Sequence, residues 1–124
     1  MFSSPSIFSS WVGLLTKLAD YWSAFCKRVR DFVSYREGVS AIYSFGFYGT
    51  FINTCLEQPE RVRGFLDQNP HRQKRQLFER PIVAPEVLSG EVRSIYIGLN
   101  PRVAREEIAA VNNLQSRACG VFYP

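Results

Sequence analysis

The sequence predicts a mainly α-helical protein that is not an independent globular fold: an amphipathic amino-terminal helix, one transmembrane helix, and an extended basic tail with a carboxy-terminal helix. Three observations predict it. Apolar residues between Trp11 and Val33 recur at three- and four-residue steps, residues 38–56 carry no formal charge, and Asn100-Pro101 opens a second periodic run. The corresponding divisions are residues 1–35 (an interfacial helix), 36–58 (the span) and 59–124 (a tail outside the membrane).

In the first division Trp11, Leu14, Leu15, Leu18, Trp22, Phe25, Val29, Phe32 and Val33 share one helical face, with Lys17, Asp20, Lys27, Arg28 and Asp31 mostly opposite. Ser9 or Ser10 can cap the first turn. Trp11 and Trp22 on the apolar face suit a helix lying in a membrane interface; a helix packed on a protein core has the same pattern.

The second division would be roughly 28 Å long as a helix, close to the roughly 30 Å of a bilayer core. Gly38, Ile42, Gly46 and Thr50 form an i, i+4 row with Gly49 beside it, and small residues there let a second helix approach closely in lipid. The predicted helix-packing residues are therefore Gly38, Gly46, Gly49 and Thr50. A pair of short buried strands around YSFGFYGTFI is the competing reading, since aromatics favour pleated structure.

In the third division Pro59 is expected to start a short helix with Val62, Phe65 and Leu66 on one side, ended by Asn69-Pro70. The run PHRQKRQ follows, and Arg72, Lys74 and Arg75 are its candidate contacts to lipid phosphate or a partner. Residues 80–85, RPIVAP, read as an extended connector over a partner surface, because two prolines remove backbone donors. A short strand is expected at 92–99. From Asn100 a capped helix should carry Ala104, Ile108, Val111, Leu114 and Ala118 on one face until Gly120 stops it.

Composition narrows the classes. With 46% hydrophobic and 15% aromatic residues, the 124-residue chain is not wholly disordered. A net charge of +4 is compatible with phosphate, anionic lipid or acidic protein. Cys26, Cys55 and Cys119 form no CxxC pair and His71 is the one histidine, so no zinc site is expected. Reduced buried thiols are the expectation, with a disulfide between two of them left open. The amino end MFSSPSIFSSWVGLL has no early positive charge and so resembles neither a secretory signal nor a transit peptide.

Catalytic chemistry finds no candidates. Glu106 and Glu107 are adjacent on a helix surface and do not converge, and His71 sits in a basic loop without a nucleophile to activate. No Walker loop, GxGxxG, HExxH or GxSxG is present. No catalytic, cofactor-binding or metal-binding residue is therefore assigned, and no cofactor or small-molecule substrate is expected.

The order of an amphipathic helix, the Arg36-Glu37 pair and a small-residue-rich segment containing Gly46, Phe47, Tyr48 and Gly49 resembles subunit g of the mitochondrial F-type ATP synthase. The resemblance covers the first half. It implies a single inner-membrane helix packing against another subunit, in support of complex dimers and membrane curvature. It departs from the family around Thr50 and Asn53 and in the long tail.

The expected function is a non-catalytic structural subunit of a mitochondrial inner-membrane complex, the ATP synthase proton-transport machinery, with other subunits and membrane lipid as partners. The alternative is a soluble basic accessory protein of a ribonucleoprotein such as the mitochondrial ribosome, in which Arg72, Lys74 and Arg75 neutralise RNA phosphates.

Overall fold

The computed structural model describes residues 5–34, 38–73, 75–85, 91–111 and 120–124. It overturns the mainly α expectation. Among the described residues, three α-helices, α1 (Pro5–Ser34), α2 (Phe47–Cys55) and α3 (Pro101–Ala109), cover a six-stranded mixed sheet of β1 (Val39–Tyr43), β2 (Val62–Leu66), β3 (Gln76–Leu77), β4 (Arg80–Val83), β5 (Val92–Ile97) and β6 (Gly120–Phe122). The order across the sheet is β3-β4-β2-β1-β5-β6. All neighbours are parallel except β3 against β4.

The uncharged segment 38–56 is not a span. It divides into β1, a short turn and α2, and among the described residues no helix is long and apolar enough to cross a membrane. Its lack of charge has another cause: a central parallel strand is buried on both faces and reads as a continuous apolar run. Ala41, Ile42 and Tyr43 of β1 and Ile95, Tyr96 and Ile97 of β5 are all buried. The anticipated glycine row does not exist, because Gly38 precedes β1, Ile42 lies within it, Gly46 is the N-cap of α2 and Thr50 is inside α2.

Two hydrophobic clusters hold the layers together. On one face Phe25 and Val29 of α1 and Ile52 and Cys55 of α2 cover Ile42, Phe65, Ile82, Tyr96 and Phe122. On the other, Ala104 and Ile108 of α3, with Val111, cover Ala41, Tyr43, Leu66, Ile95 and Ile97. Burial of aromatic and branched side chains at about 25 cal/mol per Å² of apolar area is the main stabilising term. So the chain has a core of its own, and helices on both faces make it a doubly wound α/β unit.

The stretch after Pro59 is a single 3-10 turn, Pro59–Arg61, leading into β2 rather than a longer helix. Val62, Phe65 and Leu66 are buried strand residues that serve both faces of the sheet. Residues 80–83 do not cross a partner's surface; they pair in parallel with β2, Phe65 opposite Ile82 and Leu66 opposite Val83. Phe78 and Glu79, at φ 51° and 64°, make the two-residue turn from β3 into β4.

Arg80 donates to the backbone carbonyls of Val62 and Phe78 at 2.8 and 2.9 Å. At α3 the Asn100 side chain accepts from the Arg102 N–H at 2.9 Å, with Pro101 in the first turn. That helix ends at Ala109, short of the expected stop at Gly120, which lies in β6. Leu114, Ala118 and Cys119 lie outside the described residues, as do Arg36, Glu37 and Lys74.

Candidate functional site: the crevice between β1 and β5

Strand order reverses between β1 and β5. The chain passes from β1 through α2 to β2 on one side, and from β5 through α3 to β6 on the other. The turns leaving the carboxyl ends of β1 and β5 therefore diverge and open a crevice, the place where open α/β sheets bind ligands.

The first turn, Ser44-Phe45-Gly46, leads directly into α2. Ser44 has φ 70°, a left-handed conformation that favours glycine. Its N–H donates to the Leu66 carbonyl at 2.7 Å, tying the turn to β2. Thr50 Oγ1 donates to the Phe45 carbonyl at 3.1 Å and closes the turn from the helix side. Gly46 provides no capping side chain, so the first-turn N–H groups of α2 have no side-chain or intrahelical partner. A Cβ on Gly46 would meet nothing within 4 Å, which leaves open space beside those donors.

Gly49 works differently. A Cβ there would fall on the carbonyl oxygen of Ser44, and a Cβ on Gly98 would lie 2.5 Å from Gly49 Cα. The two glycines let the start of α2 lie directly on the turn after β5. Ser44-Phe45-Gly46-Phe47-Tyr48-Gly49 thus places a residue at positive φ, an open glycine and a packing glycine at the spacing of a dinucleotide-binding turn, with serine where the first glycine usually stands.

The carboxyl ends of β1 and β2, the loop after β5 and α3 line a cavity of about 300 Å³, bounded among others by Ser44, Asp67, Asn69, Arg72, Leu99 and the Glu107 side of α3. This is near the lower end of the roughly 300–1,000 Å³ of small-molecule sites. Asp67 stands at the end of β2, its side chain 14% exposed. One carboxylate oxygen accepts from the Asn69 N–H at 2.7 Å and the other lies 3.5 Å from Arg72 Nη1. Asn69 Oδ1 in turn accepts from the His71 N–H at 3.0 Å, and Gln73 Nε2 donates to the Asp67 carbonyl at 2.8 Å. These bonds hold the loop 67–73 in one shape. The Arg72 guanidinium lies 5.2 Å from the Phe45 ring centroid and so joins the β2 loop to the turn after β1.

The sequence-predicted residues separate accordingly. Gly46, Gly49 and Thr50 belong to the turn after β1 and the start of α2, not to a membrane-helix contact, and Arg72 lines the cavity. Gly38, at φ 104°, lies before β1 at the opposite end of the strands. Arg75 is exposed and caps the loop through its backbone, donating to Arg72 and accepting from Ile82. Trp22 packs among Phe25, Phe47, Tyr48 and Phe51, whereas Trp11 is 62% exposed. Neither tryptophan flanks a span. Ser44, Asp67 and Gly98 were missed. The legible signal was S-x-G-x-x-G after an apolar run, with an acidic residue roughly twenty positions further on.

Tyr48, in the first turn of α2, has its pKa raised, first by burial and then by its hydrogen bond with Tyr21; Arg102 at the start of α3 acts against that shift.

At the carboxyl end of α2, Cys55 is buried, its thiol pushed up to about 12 first by desolvation and then by a hydrogen bond with Cys26. The protonated thiol is the form that folding favours. Its contribution is complete below the ordinary value of 9.0 and is lost as pH rises through about 12. Urea midpoints are expected to stay level between pH 7 and 8 and to fall above pH 9, while iodoacetamide at pH 8 modifies Cys55 only after unfolding. Rapid labelling of the folded protein at Cys55 would contradict this burial.

Comparison of the chain with protein-family models, with curated proteins and with solved structures finds no match, so the reading of this crevice stands on its geometry.

Proposed function

We propose that this protein is a nucleotide-binding module whose crevice receives a nucleoside diphosphate with free ribose hydroxyls, as in NAD or a nucleotide sugar. One observation carries the reading: the Asp67 carboxylate lines a cavity shared with Ser44, the residue whose turn leads into the uncapped start of α2. An acidic side chain at the end of β2 accepts hydrogen bonds from a ribose, and first-turn N–H groups with a helix dipole attract the diphosphate. The open side of Gly46 supplies the space a diphosphate needs. Arg72, held against Phe45, offers a flat cationic surface at the rim.

The residues present fit such a ligand, and they assign it binding without a reacting group. The expectation of an inner-membrane subunit drew its mechanism from a span and a glycine row, neither of which forms. The ribonucleoprotein alternative drew on Arg72, Lys74 and Arg75 as one basic patch, and Arg72 is engaged with Asp67 and Phe45.

Isothermal titration with NAD, ADP-ribose, a uridine diphosphate sugar and NADP tests the reading. At least one of the first three should bind with a Kd of micromolar to low millimolar order. NADP should bind at least about tenfold more weakly than NAD, because its 2′-phosphate would meet the Asp67 carboxylate. Absence of heat with every nucleotide at millimolar concentration, confirmed by unshifted amide resonances of Gly46 and Asp67, would remove it.

A further inference from the structure

We propose that the amino-terminal half of α1 is a self-association surface through which two copies of this chain pair as antiparallel helices. The helix continues well past the body of the domain. Phe25 and Val29 are buried on the sheet and Trp22 packs against α2, but every residue from Ser10 to Tyr21 is exposed. Those residues form an overhang of roughly 18 Å at 1.5 Å per residue.

The overhang keeps the apolar stripe of the buried half. Trp11, Leu14, Leu15 and Leu18 lie at the same angular position on the helix as Trp22, Phe25 and Val29, by the 100° step per residue. Their exposures are 62%, 48%, 60% and 47%. Where the overhang meets the domain, Tyr21 and Phe47 continue the surface at 46% and 67% exposed, with the Phe47 ring 5.3 Å from that of Trp22. Stripe and aromatic edge together make one continuous apolar surface.

A second copy is the occupant that fits on three grounds. First, the surface is self-complementary. With a two-fold axis between Leu14 and Leu15, Trp11 of each helix faces Leu18 of the other and Leu14 faces Leu15. Second, the six side chains expose on the order of 700 Å² per copy, close to the ~800 Å² per partner of a stable interface. Third, the overhang carries only Lys17 and Asp20, both off the stripe and of opposite sign, in a chain of net charge +4. No like charges oppose across the pair, and no basic patch is offered to an anionic partner. None of the six side chains lines the cavity beside Asp67.

Sedimentation velocity of the full chain at about 100 μM tests the pairing. The expected species has twice the 14.2 kDa protomer mass. Leu15→Arg and, separately, Leu18→Arg should each shift it to a monomer by at least tenfold in dissociation constant. Their thermal unfolding should match the parent's under monomeric conditions, because neither side chain is buried on the domain. A parent chain monomeric at that concentration, a dimer that survives both substitutions, or a monomer that floats with phosphatidylcholine vesicles through this stripe would each overturn the proposal.

Discussion

Gly49→Ala is expected to lower the melting temperature by roughly 10 °C, about 3 kcal/mol, measured by far-ultraviolet circular dichroism. The added methyl has no free direction: it lands on the Ser44 carbonyl oxygen, with the Ser44 carbonyl carbon at 3.0 Å and Ile42 Cγ2 at 3.4 Å. Relief requires α2 to move off the turn, but Thr50 is bonded to Phe45 and Ile52 is packed between α1 and the sheet. Gly98→Ala attacks the same approach from β5, its methyl 2.5 Å from Gly49 Cα and 2.9 Å from the Ser44 carbonyl oxygen. The two substitutions share one gap. The double variant should be less destabilised than the sum, with a coupling of about 1 kcal/mol or more. Gly46→Ala, whose methyl meets nothing within 4 Å, is the contrasting case and should unfold within about 1 kcal/mol of the parent. A Gly49→Ala protein as stable as the parent would mean that α2 does not lie against the Ser44 turn as described.

Asp67→Asn is expected to weaken binding of NAD or ADP-ribose by about 10–100-fold, the 1.5–3 kcal/mol of a hydrogen bond to a charged group. Asparagine keeps an oxygen for the Asn69 N–H, so the loop 67–73 retains its turn and the loss reports the ribose contact. Affinity for NADP should fall less or rise, because the carboxylate that repels the 2′-phosphate has gone while Arg72 remains and is released from its 3.5 Å pairing. Titration of both nucleotides against parent and variant separates the two effects. An equal change for NAD and NADP would show that Asp67 shapes the loop without reading the ribose.

Several elements were legible without coordinates. The three- and four-residue spacing along α1 is local information, and a helix runs through it. So is the Asn100-Pro101 start of α3, where the cap bond forms as the residue types require. The strand expected at 92–99 combines β-branched and aromatic residues in a short run, and it forms at 92–97 between β1 and the edge strand β6. The failure at 38–56 has a definite cause. Absence of charge reports burial and does not say whether lipid or a sheet does the burying, and β1 followed by α2 has the same composition as a polar-diluted span.

For the site, the residue types were in plain view but their meaning was not. Gly46 and Gly49 stood out as small residues, yet small residues serve helix contact in lipid and turn formation at a strand end equally well. Serine in place of the first glycine hid the motif, and only the φ of 70° shows that Ser44 occupies that position. Asp67 had no reason to be chosen until β2 paired beside β1 and carried it to the mouth of the crevice.

The sequence by itself determined the local matters: the amphipathic helix, the helix cap before Pro101, the strand at 92–97 and the presence of enough apolar residue to build a core. Tertiary structure decided the strand order, the two-sided burial of β1, the meeting of Gly49 with Gly98 and the convergence of Ser44, Asp67 and Arg72. The physical reason is range. Helix spacing and caps are set by neighbours within one or two turns, whereas parallel strands pair only through crossovers, so register and crevice exist only once residues far apart in the chain have packed.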